Sequence, residues 1–108
     1  MKFTVHLTAD AERDLADLFD FIAANDAPAK AGHVLDKIAG MLDGLAAFPE
    51  RGAFPKELAA LGIREYREVF FKPYRILYRV SGKSVYVYLI ADGRRDMRQL
   101  LERRLLGT

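Results

Sequence analysis

The chain has 108 residues, 51% of them apolar and 11% aromatic, which is room for one domain (residues 1–108) with a packed core and argues against disorder. It has no cysteine, which excludes a disulfide scaffold, a thiol nucleophile and every zinc site built on thiolates, and fits a reducing compartment. The net charge of +2 is divided: residues 1–63 carry six Lys/Arg against ten Asp/Glu (−4) and residues 64–108 eleven against five (+6), so the second half is expected to meet something negative unless it is merely an unevenly charged solvated surface.

Met1 leads into Lys2–Asp10 without the apolar stretch of a signal peptide, and no run reaches the roughly 18 apolar residues of a membrane span, so a cytoplasmic protein with no membrane partner is expected. Phe3, Val5 and Leu7 alternate with polar residues and predict a short strand. Thr8 is placed to cap a helix, with Asp10 and Glu12 in its first turn where the helix dipole favours anions. Leu15, Leu18, Phe19 and Ile22 form its apolar stripe, which ends near Asn25. Pro28 suits a first helical position, and Val34, Ile38, Met41, Leu42 and Leu45 mark a second stripe closing before Phe48-Pro49. Two long helices joined by a short link predict an antiparallel hairpin.

Glu50 to Gly62 reads as a connector with one helical turn near Lys56–Leu61. Ile63–Phe71, Tyr74–Val80 and Ser84–Ala91 are rich in β-branched and aromatic residues and predict three strands, with Ser81-Gly82-Lys83 turning the last two into a hairpin. Tyr74, Ile76, Tyr78 and Val80 are expected on one face, and Arg75, Leu77 and Arg79 on the other. Met97, Leu100, Leu101 and Leu105 mark a final helix stopped by Gly107. The order predicts an α+β fold, an N-terminal strand and helical hairpin packed on one face of a small antiparallel sheet, with a C-terminal helix. The opposite face, open to solvent or a partner, is expected to carry the arginines.

Standard catalytic arrangements are missing. His6 and His33 lie far apart in sequence and read as surface or packing residues. There is no HExxH, no GxSxG and no glycine-rich phosphate loop, so neither metal nor cofactor is expected. The carboxylates of the first helix are spread around a solvent face. What remains is arginine: Arg64, Arg67, Arg75 and Arg79 in the sheet region, Arg94, Arg95 and Arg98 at its exit. The planar guanidinium fork suits phosphates and carboxylates and keeps its charge. Tyr66, Tyr74, Tyr78, Tyr86 and Tyr88 are interleaved with these arginines, a combination that binds single-stranded nucleic acid in some proteins and in others is simply half-buried sheet.

The segment Tyr66–Val80, with its Tyr74-Arg75-Ile76-Leu77-Tyr78-Arg79-Val80 strand, followed by Val85–Ile90 and Gly93-Arg94-Arg95-Asp96, resembles the RelE/ParE toxin superfamily. The likeness extends upstream through Phe48-Pro49-Glu50-Arg51-Gly52 and the helical hairpin. It implies the toxin of a type II toxin–antitoxin (plasmid stabilisation) system that inhibits growth until a cognate antitoxin wraps and silences it. Specific DNA binding by the chain alone is not expected. RelE-like members cut messenger RNA on the ribosome without metal, and Arg75 and Arg95 match two arginines important to them. However, Tyr66, Arg67 and Glu68 stand where that group has lysines, and Leu101 falls where it has a tyrosine. ParE-like members instead poison DNA gyrase and need no active site. Their longer helical hairpin and milder charge match this chain, so the resemblance implies the ParE-like activity, with the ribosome-dependent endoribonuclease as alternative. Arg75 and Arg95 are catalytic candidates only under that alternative, while Arg64, Arg67, Arg79, Arg94 and Arg98 are candidates for contacting target or antitoxin in either case.

Overall fold

The computed structural model describes residues 2–107; Met1 and Thr108, the outermost positions of the expected domain, lie outside the described residues. The elements are β1 (Thr4–Leu7), α1 (Ala9–Asn25), α2 (Pro28–Ala47), α3 (Lys56–Ala59), β2 (Arg67–Phe71), β3 (Tyr74–Ser81), β4 (Ser84–Asp92) and α4 (Met97–Leu105). Helix ends follow local chemistry. The Thr8 hydroxyl accepts from the Ala11 N–H at 3.2 Å, Pro28 opens α2, and the Asp96 carboxylate accepts from the Gln99 N–H at 3.1 Å to start α4.

The four strands form one sheet in the order β1-β4-β3-β2. β2, β3 and β4 form a meander in which each strand is antiparallel to the one before it, as expected. β1 joins alongside β4 in parallel, so the sheet is mixed. The alternation of β1 sets which side chains face inward, whereas its direction relative to β4 is set by the long crossover through α1, α2, α3, β2 and β3 that separates them. β2 begins at Arg67 rather than Ile63; Ile63 and Tyr66 precede it without strand pairing and pack against α4's core.

The α1–α2 hairpin covers one face. Ile22, Ala31, Val34, Ile38 and Leu45 pack there on Val69, Ile76, Tyr78, Val85, Val87 and Ile90. The other face is only partly open, exposed at Arg79 and His6 and covered over the rest. Leu58 of α3 and Met97, Leu100 and Leu101 of α4 form a second core on Leu77, Leu89 and Ala91. A bulge makes this possible: Leu77 is opposite Leu89 but Tyr78 is opposite Val87, so Tyr88 is an extra residue. Before it Val85 and Val87 point to the hairpin; after it Ile90 does, while Leu89 and Ala91 point to α4.

Two contacts tie the layers together. The Gly52 N–H donates to the hydroxyl of fully buried Tyr78 at 3.0 Å, and a Cβ at Gly52 would stand 2.6 Å from both that hydroxyl and the Glu68 carbonyl. Only glycine permits that approach. Asp14 of α1 accepts from the Ile90 N–H at 3.1 Å and from Arg104 of α4 at 2.9 and 3.0 Å, and Arg104 also donates to the Tyr88 carbonyl at 3.1 Å. These contacts fall on the edge of β4 past the end of β1, where the strand has no neighbour. The peptide bond between Lys72 and Pro73, at the β2–β3 turn, is cis. No helix among the described residues is long and apolar enough to cross a membrane.

Candidate functional site

The arginines do not gather on one surface; they fall into three environments. The expectation that Arg75 stands on a bare face with the rest is corrected by its burial. Its residue is 5% exposed, and the guanidinium lies under α3. Nε donates to Glu68 Oε1 at 2.7 Å, while Nη1 and Nη2 donate to the two Glu57 oxygens at 2.8 and 2.7 Å. Gly93 leaves room for this course, since a Cβ there would stand 2.8 Å from Arg75 Cδ. Two carboxylates on one guanidinium leave the cluster with a formal charge of −1, and the two acids differ in consequence. The Arg75 hydrogen bonds hold the Glu57 carboxyl below its ordinary range. Burial outweighs the same partner at Glu68 and pushes its pKa up. The Glu57 hydrogen bonds in turn raise that of Arg75. All three guanidinium nitrogens of Arg75 thus already donate to a carboxylate.

Beyond the β2–β3 turn lies a cleft of about 740 Å³ between the helical hairpin and the strand ends. Asp14, Asp17 and Asp26 stand on its helical side with Lys30 and His33, and Lys72, Asp92, Arg94 and Arg95 on its sheet side. Arg94 folds back onto Asp92, with Nε 2.9 Å from Oδ1, and thereby holds the Asp92 carboxyl below its ordinary range. Arg95 is exposed and, among the described residues, has no carboxylate within ion-pair distance. Arg98 points away on α4, paired with Glu102 at 3.4 Å. Phe21, 66% exposed, rims the cleft.

The third group sits at the other end of the sheet. Arg64 and Arg67 lie over the Phe54 ring at 5.4 and 4.6 Å from its centroid, and both share a cleft of about 320 Å³ with Arg79, Glu50 and Glu65. Arg67 is further fixed by donating to the Gly52 carbonyl at 2.8 Å. Arg79 is five residues along β3 from the Tyr74 end, about 17 Å at strand rise. The separation follows from the meander, which puts the start of β2 and the end of β3 at one end and the exit of β4 at the other.

Sequence reasoning groups Arg64, Arg67, Arg75 and Arg79 in the sheet with Arg94, Arg95 and Arg98 at its exit on one face. The structure keeps Arg64, Arg67 and Arg79 together and Arg94 and Arg95 together, but parts these two groups, buries Arg75 and pairs Arg98 with Glu102 on α4. Sequence reasoning misses Glu57, Phe54 and the stacked pair His6–Tyr86, whose ring centroids are 5.1 Å apart. Glu57 carries no local signal, since its partner lies 18 residues away. The aromatic alternation of β4 did foreshadow Tyr86. Among the described residues, no three His, Cys, Asp or Glu side chains gather as a metal-binding group.

Residues 5–97 match the family described as the ParE toxin of type II toxin–antitoxin system, parDE. The chain is similar to Toxin ParE3 of Caulobacter vibrioides, 30% identical over 90 residues, a stretch covering 83% of this chain and 86% of that protein. Its fold is similar to a chain of the chromosomal ParDE toxin–antitoxin system of P. aeruginosa, with a TM-score of 0.70 at 20% identity over 84% of this chain and 96% of that one. It is also similar to a chain of the toxin–antitoxin complex RelBE2 of Mycobacterium tuberculosis, with a TM-score of 0.61 at 23% identity over 85% and 99% of the two chains.

Proposed function

The chain belongs to the ParE toxin family of type II toxin–antitoxin systems, and from that premise we propose that it is a ParE-like inhibitor of DNA gyrase, acting in the cytoplasm and silenced by a cognate antitoxin. The observation that carries the choice of gyrase over messenger RNA is the engagement of Arg75 by Glu57 and Glu68. Cleavage of RNA by basic side chains needs guanidinium donors free to meet the charge that develops at phosphorus. Here the central arginine is buried and already neutralised, and the excess carboxylate beside it opposes a phosphate. Leu101, at the position where a proton-exchanging tyrosine is implied by the RelE-like alternative, is 1% exposed and serves the second core. A protein that works by docking on an enzyme needs none of these groups.

The ribosome-dependent endoribonuclease is the second reading, favoured by one observation, the exposed and unpaired Arg95. The antitoxin is the partner common to both. Its carboxylates suit the unpaired arginines at the two sheet ends, and its apolar side chains suit the groove of Leu7, Leu15, Phe19 and Leu35. Purified gyrase separates the readings: added toxin should halt supercoiling and accumulate cleaved DNA. Unaffected gyrase together with codon-phased cuts in translated messages, abolished in Arg95→Ala, would reverse the choice.

A further inference from the structure

The outer face of the sheet, opposite the helical hairpin, is covered unevenly. α3 and α4 lie over Leu77, Leu89 and Ala91 and leave bare the half nearer the β3–β4 turn. There the register sets three side chains in a row across three strands, His6 beside Tyr86 and Tyr86 beside Arg79. The His6 and Tyr86 rings stack at 5.1 Å with 19° between their planes. His6 and Arg79 are exposed and Tyr86 half-buried. Tyr66 lies within electrostatic reach of Arg79 and meets Tyr88 edge-on at 5.5 Å. Neither His6 nor Tyr86 belongs to either hydrophobic core, so packing does not account for the stack.

Charge points the same way. Arg13, Arg75, Arg94, Arg98 and Arg104 each have a carboxylate partner. Among the described residues, Arg64, Arg67 and Arg79 have none within ion-pair distance, although Glu50 and Glu65 stand at the rim of their cleft. Guanidinium groups without a carboxylate partner, next to a stacked and partly exposed pair of rings, match a phosphate next to a base. A duplex hides its base faces, and an acidic peptide would meet the arginines while leaving the rings unused.

We propose that this row is a sequence-independent site for single-stranded DNA, with a base stacked on the Tyr86–His6 rings and the adjoining phosphate held by Arg79 and Arg64. The choice of DNA over RNA rests on the gyrase reading, in which a cleaved DNA gate is at hand; the site itself does not. It lies away from buried Arg75 and from Arg95, at the opposite end of the sheet.

The test is fluorescence anisotropy with the full chain freed of its antitoxin and a labelled oligothymidylate of roughly twelve nucleotides. The matching oligouridylate, a duplex and polyglutamate are compared in parallel. Oligothymidylate should bind best. Arg79→Ala should weaken it about fivefold and reduce the log–log salt slope by about 0.7. Tyr86→Leu should weaken it about tenfold, and Arg13→Ala, on the helical side, should not change it. Should Tyr86→Leu fail to fold, His6→Ala probes the same stack. Absent binding at micromolar protein, equal binding by the row variants, or preference for duplex, polyglutamate or oligouridylate overturns the proposal. Gyrase supercoiling measured on the same samples keeps the two conclusions apart. Inhibition without oligothymidylate binding removes this site and leaves the gyrase reading, whereas binding without inhibition does the reverse.

Discussion

Arg104, near the C-terminal end of the chain, closes a two-point clasp on Asp14 of the first helix, with Nη1 2.9 Å from Oδ1 and Nη2 3.0 Å from Oδ2. The pair reaches around the open edge of β4 and satisfies the Ile90 N–H and the Tyr88 carbonyl. Backbone groups left unpaired at a sheet edge invite another strand, and here side chains occupy them. Both side chains are largely shielded, at 19% and 16% exposure, so the pair is stronger than a surface ion pair. Asp14→Ala should lower the unfolding free energy by about 2 kcal/mol in urea titration, and Asp14→Asn, which keeps an acceptor for Ile90, by about half that.

Gly52 and Gly40 should respond to alanine in opposite senses. At Gly52 a methyl group collides with the Glu68 carbonyl and the Tyr78 hydroxyl, while at Gly40 of α2 a Cβ meets nothing within 4 Å. Gly52→Ala should cost about 3 kcal/mol. Gly40→Ala should gain about 0.5 to 1 kcal/mol from helix propensity. Thermal unfolding of the two variants side by side checks the contrast.

The two acids on Arg75 should pull stability in opposite directions with pH. Glu57, held below its ordinary value of 4.5, contributes stability that is present above pH 4.5 and lost as pH falls through the lowered folded pKa. Glu68, pushed above 4.5 by burial, imposes a cost that is absent below pH 4.5 and grows as pH rises through the raised folded pKa. Glu57→Gln should therefore destabilise the protein at neutral pH, by about 2 kcal/mol, and flatten the acid limb of its stability profile. Glu68→Gln should be neutral or stabilising at pH 7. Urea midpoints across pH 3 to 8 separate the two, and an equal loss in both variants at neutral pH would contradict the assignment.

Arg95 offers a functional prediction free of folding effects. Its side chain is exposed and has no carboxylate partner among the described residues, so Arg95→Glu should leave stability within about 0.5 kcal/mol. Calorimetric titration with the cognate antitoxin should show about tenfold weaker binding, through repulsion of the carboxylates proposed to seat there. Unchanged affinity would place the antitoxin elsewhere.

Much of the fold is legible where the controlling chemistry is local. Thr8, Pro28, Phe48-Pro49 and Gly107 act within a turn or two of the positions they punctuate, and helix bounds follow them closely. The alternation along β3 likewise places Arg75 and Leu77 opposite Ile76 and Tyr78. Hidden from the sequence is what arrives from afar. Nothing within the connector announces that its single helical turn will lay Glu57 over Arg75 across 18 residues. The parallel direction of β1 is likewise absent from its own alternation, because direction depends on the crossover. The candidate site suffers most from this, since Arg75 and Arg79 share residue type and strand yet differ in fate by what covers them.

The supernumerary residue at Tyr88 lets one strand serve two interiors. Were the strand to run regular with Tyr88 retained as a paired residue, every side chain downstream would invert, Leu89 and Ala91 turning toward α1 and Ile90 toward α4. Deleting Tyr88 itself would instead leave Val87, Leu89, Ile90 and Ala91 in unbroken alternation with their present facing. Deletion of Tyr88 should therefore keep both interiors, whereas insertion of one more residue beside it would invert the residues that follow. The backbone of this single tyrosine thus acts as the phase shifter between the two cores.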